Sequence, residues 1–263
     1  MIFIVLSFLI GAGFIFFPIF ISRALSKKWM LEKRLFWRAG FYFLLIEFFY
    51  LAVMGNLTSL WPAFADSDPL VIALVMGISS GLFFELGRFL VLDKLMKQIR
   101  TFKEALFFGF GWRGIEILIL GVMLLVSSVG MNYVATMDVN KALPDAGTQE
   151  LVQLRSLKVE AAKLINGNPL DAFTPLVQHT AYLAMDLMLS LLVVLALIKG
   201  ETKFVWQAVG LRSGIFFSTI MLSYYNQWLA DFMLLAMCGL LLFAFHHLKK
   251  QFPKTVQKHE PAE

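Results

Sequence analysis

At 263 residues the chain could make one or two soluble domains, yet 59% of it is hydrophobic and only 16% is charged. Its mean hydropathy is +0.74, whereas a soluble domain carries roughly 25% charge, so water is excluded as the solvent for most of the chain. The net charge of +5 does not denote nucleic-acid binding, because Lys and Arg lie in short clusters between apolar runs rather than along one polar face.

Dividing the length by the ~20 apolar residues that a bilayer-spanning helix needs leaves room for seven spans. In chain order they fall near Ile2 to Ser22, Phe36 to Leu57, Pro69 to Leu92, Ala105 to Val129, Pro175 to Ile198, Val205 to Leu222 and Trp228 to His247. The first run has no charged leading segment and exceeds the apolar core of a signal peptide, so it is expected to stay in the mature protein. The single cysteine, Cys238, sits in the last run, where neither a disulfide nor a thiolate metal site can be built from this chain alone.

Sixteen of the basic residues flank the spans on one side: six from Arg23 to Arg38, four from Lys94 to Lys103, Lys199 and Lys203, and four from Lys249 to Lys258. The opposite side holds Lys141, Arg155, Lys158 and Lys163, in a loop where five acids outnumber them. This bias predicts an N-terminus outside and a C-terminus in the cytoplasm. The fold class is thus all-α: a polytopic membrane protein of about seven transmembrane helices in one bundle, as a single domain over 1–248, followed by a short basic tail at 249–263. The loop at about 130–174 carries Leu154, Leu157 and Ala161 at helical spacing between charges, which predicts an extracytoplasmic amphipathic helix from Thr148 to Leu164. Such a helix can lie on the membrane surface or cap the bundle.

Eight ionisable groups fall within the spans: Glu47, Glu85, Arg88, Arg113, Glu116, Asp186, Arg212 and Asp231. A charge at the bilayer centre costs about 2.5–3.5 kcal/mol on insertion scales, so these groups are expected to face one another. Glu85 and Arg88, and likewise Arg113 and Glu116, are three residues apart and can pair on one helix face; Arg212 can supply a cation from another helix. Gly77 and Gly81, Gly210 and Gly214, and the run Gly109, Gly111 and Gly114 have spacings that let helix backbones approach. Of the four histidines only His179 lies in a span.

The segment from Gly77 to Gly121 resembles the YhfC family of bacterial intramembrane metalloproteases, related in motif style to the CAAX-type prenyl endopeptidases. The family pattern G-x-F-E-E-x-G-R, a basic loop, then F-G-x-G-H-G-G-x-E is matched by GLFFELGR from Gly81 to Arg88 and FGFGWRGIE from Phe108 to Glu116. DLMLSLLV from Asp186 to Val193 looks like the family's H-x-x-L-S-x-x-V, and QWLADF from Gln227 to Phe232 looks like its H-x-x-x-D-F. The resemblance implies a metal held by histidines with an activated water. This chain departs from it systematically: Phe84 replaces the first glutamate of the pair, and Trp112, Asp186 and Gln227 replace the histidines that the resemblance implies as ligands. An indole offers only an N–H donor, so no metal or other cofactor is expected.

Whether the chain is an enzyme stays open on these residues. One reading is a catalytically degenerate relative whose polar core (Arg88, Trp112, Arg113, Asp186, Gln227, Asp231 and His179) binds a transmembrane helix, a lipid-modified peptide or another partner in the bilayer. A second is an active peptidase with altered carboxylate chemistry, in which Glu85 and Glu116 are catalytic. A third is a transporter that uses the same charges as an ion or proton path.

Overall fold

The structure is a computed structural model that describes residues 2–64, 66–138, 148–166 and 168–253. Lys141 and Asp145 of the outer loop, and Lys254, Lys258 and His259 of the tail, lie outside the described residues. Among the described residues there is no strand, and seven helices are long and apolar enough to cross a membrane. The chain is an all-α, multi-pass membrane protein.

The spanning helices are α1 (Ile2–Trp29), α2 (Lys33–Leu60), α3 (Pro69–Leu95), α4 (Phe102–Thr136), α6 (Thr174–Lys199), α7 (Lys203–Tyr225) and α8 (Gln227–Gln251). Between α4 and α6 lies α5 (Thr148–Ile165), which matches the predicted amphipathic segment closely. Helix ends differ more from expectation. The fourth span continues to Thr136, seven residues beyond the predicted end, because Gly130 to Thr136 contains no proline to interrupt it. At 35 residues it is about 52 Å long, well over the ~30 Å hydrocarbon core, so an end of it stands clear of the apolar layer.

Two compact units divide the chain. The first comprises 1–20 and 117–179. Here α1 and α4 meet backbone to backbone at a pair of glycines: a Cβ on Gly121 would lie 2.7 Å from the Gly11 carbonyl. The far end of α4 is tied to α5, where Lys158 Nζ donates to the Met137 carbonyl at 2.7 Å, satisfying an acceptor that the helix terminus leaves open.

The second unit comprises 21–116 and 180–263 and holds most of the intramembrane charge. The start of α4 is closed by a capping box: Thr101 N–H donates to Glu104 Oε2 at 2.9 Å, and Glu104 N–H donates back to Thr101 Oγ1 at 3.3 Å. Gly81 of α3 lies against α7, where a Cβ would fall 2.6 Å from the Val209 carbonyl, and Gly111 of α4 lies against the backbone of Phe36 on α2. The glycines of α7 behave otherwise. A Cβ on Gly210 or Gly214 would meet nothing within 4 Å, so this pair does not serve the close helix packing that its spacing suggests. α7 meets α3 through Val209, Ser213 and Phe217 instead.

Candidate functional site

The third span is not a uniform helix. Two π-helical turns, Leu82–Leu86 and Val91–Leu95, flank a short α-helical stretch, Gly87–Leu90. Such turns widen a helix locally and recur at functional sites. The first of them carries Phe84 and Glu85, and Arg88 follows on the next turn.

Around Glu85 the second unit builds a closed ring of alternating charges from three helices. Arg88 Nη1 donates to Glu85 Oε2 at 3.0 Å, and Arg88 Nη2 donates to Oδ1 of Asp186 on α6. From α7, Arg212 Nη1 reaches the same Asp186 oxygen at 2.9 Å and Glu85 Oε1 at 3.2 Å, while its Nε donates to Ser80 Oγ at 3.2 Å. The side chains of Glu85, Arg88 and Asp186 are 0% exposed, and that of Arg212 is 1% exposed. Each member of the ring touches two of opposite sign, as a buried charge must if its desolvation is to be offset.

A second pair hangs on this ring. Arg113 pairs with Glu116 one turn along α4, and its Nε lies 3.9 Å from Asp186 Oδ2. Here the Glu116 side chain keeps 28% exposure. Glu47, half-buried on α2, lies within electrostatic reach of Arg113 and Arg212.

Every guanidinium of the cluster also lies over an aromatic face, a favourable placement for a delocalised cation. Arg212 sits 4.2 Å from the Phe84 centroid, Arg113 sits 4.8 Å from Tyr182, and Arg88 sits 5.0 Å from Trp112. Phe43 of α2 joins the two substituted positions, with ring centroids 5.6 Å from Phe84 and 5.7 Å from Trp112. Trp112 is wholly buried, and its indole N–H has no hydrogen-bond partner among the described residues.

Thus Glu85, Arg88, Trp112, Arg113, Glu116 and Asp186 come together, with Arg212 among them. Gln227 and Asp231 pair with each other on α8, Gln227 Nε2 donating to Asp231 Oδ1 at 3.0 Å. His179 belongs to the first unit, where its ring meets Phe14 edge-on at 6.0 Å. Ser80, Tyr182 and Phe216 are contacts that motif reading did not single out. Tyr182 is four residues before Asp186 and Phe216 four after Arg212, so helical spacing alone would have raised them.

A seven-span helical fold with a buried ring of paired charges on its third, sixth and seventh spans defines a polytopic membrane protein with a charged core. A family model described as YhfC intramembrane metalloprotease matches residues 13–238, and the chain belongs to this family. Among curated proteins and among solved structures nothing matches it. The residues present do not fit the metal that the family's description implies. Trp112 has no lone pair to give, and both oxygens of Glu85 and Oδ1 of Asp186 are taken by guanidinium donors. Among the described residues no three His, Cys, Asp or Glu side chains converge in a way that could hold a metal ion.

Proposed function

We propose that this chain is a catalytically silent member of its family, a membrane-embedded protein that binds a peptide helix, a lipid or a partner without cutting it. The observation that carries this reading is the alternating ring of Glu85, Arg88, Asp186 and Arg212. One of its members, Asp186, stands at a position where the resemblance puts a histidine. A dication held by neutral imidazoles has given way to guanidinium cations held by carboxylates, and Phe84 and Trp112, which replace a glutamate and a histidine of the family pattern, lie under two of those cations. Both oxygens of Glu85 and Oδ1 of Asp186 are committed to guanidinium donors, which leaves fewer acceptor sites for orienting a water.

The location that goes with this reading is the bacterial inner membrane, N-terminus outside and C-terminus cytoplasmic, supported by the sixteen basic residues on one side of the spans. Elemental analysis of protein purified without chelator tests the silent reading. The expected result is no stoichiometric zinc and no cleavage of a transmembrane peptide library; one zinc per chain, or zinc-dependent cleavage, overturns it.

One observation favours a second reading. Glu116 retains partial exposure beside a charge cluster and could work as an acid or base in an altered hydrolytic site. Cleavage that persists in the presence of chelator and disappears in Glu116→Gln would establish that reading instead.

A further inference from the structure

A cavity of about 760 Å³ in the second unit lies between α6, α7 and α8. It contains no residue of the charge ring. Its wall is apolar, with Met188 and Leu192 on α6, Ile215 on α7 and Met237 on α8, and only Gln207 and His247 bring polar side chains to it. Both polar residues are at one end. Lys203, which pairs with Glu201, lies one turn before Gln207 on α7, and Lys249 and Lys250 follow His247 in the last turn of α8. Along α8 the lining runs from Met237 to Leu248, about 16 Å at 1.5 Å per residue, which is close to half of the ~30 Å hydrocarbon core. The cavity therefore has the depth of one leaflet, with Gln207 and His247 at the end that carries the lysines.

Gly210 keeps this space open. It lines the cavity, and a Cβ there would meet nothing within 4 Å, so any larger side chain would project into the void. The cavity also opens sideways to the bilayer, because the lining residues Leu240 and Phe243 are 66% and 85% exposed. Its volume lies within the 300–1,000 Å³ usual for small-molecule sites. A helix about 10–12 Å across would need well over about 1,000 Å³ across the same depth.

We propose that this slot holds one acyl chain of an anionic phospholipid from the leaflet on the side of Lys203 and Lys249, its headgroup at Gln207 and His247. One-ended polarity, flanking cations and single-leaflet depth together select a lipid over a helix or a second copy of the chain. The ligand site is separate from the charge ring and does not depend on whether the ring is catalytically silent.

The test is native mass spectrometry of protein released from vesicles of phosphatidylethanolamine and phosphatidylglycerol. Wild type is expected to retain one phosphatidylglycerol per chain. Gly210→Leu should lower that retention at least about tenfold, whereas Gly239→Leu, at a glycine of α8 that also meets nothing and does not line the slot, should leave it unchanged. Ala244→Leu fills the same space from α8 and should reproduce the loss, which decides the matter should Gly210→Leu fail to fold. Equal retention in the filled variants, equal retention of phosphatidylethanolamine, or a wild-type dimer that Gly210→Leu dissociates would each overturn the proposal, the last by making the slot a contact between copies.

Discussion

Glu85 with Arg88, and Arg113 with Glu116, are the same device in sequence: an acid and a base three residues apart in an apolar helix. In the folded chain they differ. Glu85 lies in a π-helical turn and Arg88 just after it, and Asp186 and Arg212 join them into a closed ring with side chains no more than 1% exposed. In the Arg113–Glu116 pair the carboxylate is 28% exposed, and Arg113 Nε lies 3.9 Å from Asp186 Oδ2. Spacing decides that two charges can meet. What other helices bring to them decides whether they become a structural keystone or a partly open acid.

This contrast predicts a gradient of mutational effects in thermal unfolding of the detergent-solubilised protein. The largest belongs to Asp186→Asn, because it withdraws the carboxylate shared by Arg88 and Arg212 and leaves two buried guanidiniums with Glu85 alone; a loss of roughly 3–5 kcal/mol is expected. A loss below about 1 kcal/mol, the value usual for an exposed pair, would mean that the ring is not a buried unit. Arg113→Ala should cost less, about 1–3 kcal/mol, since Glu116 can take up a proton. Equal losses for the two variants would erase the distinction between the pairs. Phe84→Leu should have the smallest effect, roughly 0.5–2 kcal/mol for the lost ring face under Arg212, and the double variant with Arg212→Lys should show the two changes to be non-additive.

Much of this architecture was legible in the residues. Seven apolar runs define seven spanning helices, the leucine spacing after Thr148 gives α5, and the i,i+3 charge pairs form as helical geometry requires. What was not legible depends on neighbours. A π turn is a change of hydrogen-bond register that leaves the apolar period nearly intact, so LFFEL from Leu82 to Leu86 looks like ordinary helix. The central place of Asp186 needs knowledge of which helix lies beside α3. Gly210 and Gly214 show the limit most clearly: four-residue spacing says that a backbone can be approached, whereas α7 presents Val209, Ser213 and Phe217 to α3 and leaves both glycines open. The departures from the family pattern were visible as substitutions, but that Phe84 and Trp112 lie under guanidiniums could be read only from the fold.

The claim on which the account turns is that the carboxylates of the ring are balanced by arginines of this chain. Removing Arg88 leaves Glu85 and Asp186 to share Arg212, whereas removing Glu85 and Arg88 together leaves one carboxylate facing one guanidinium. The most direct measurement is therefore the thermal unfolding of Arg88→Ala beside Arg88→Ala with Glu85→Gln. The single change is expected to cost roughly 3–5 kcal/mol and the double change to recover part of that loss; a double variant no more stable than the single one would contradict charge balance as the reason for the ring.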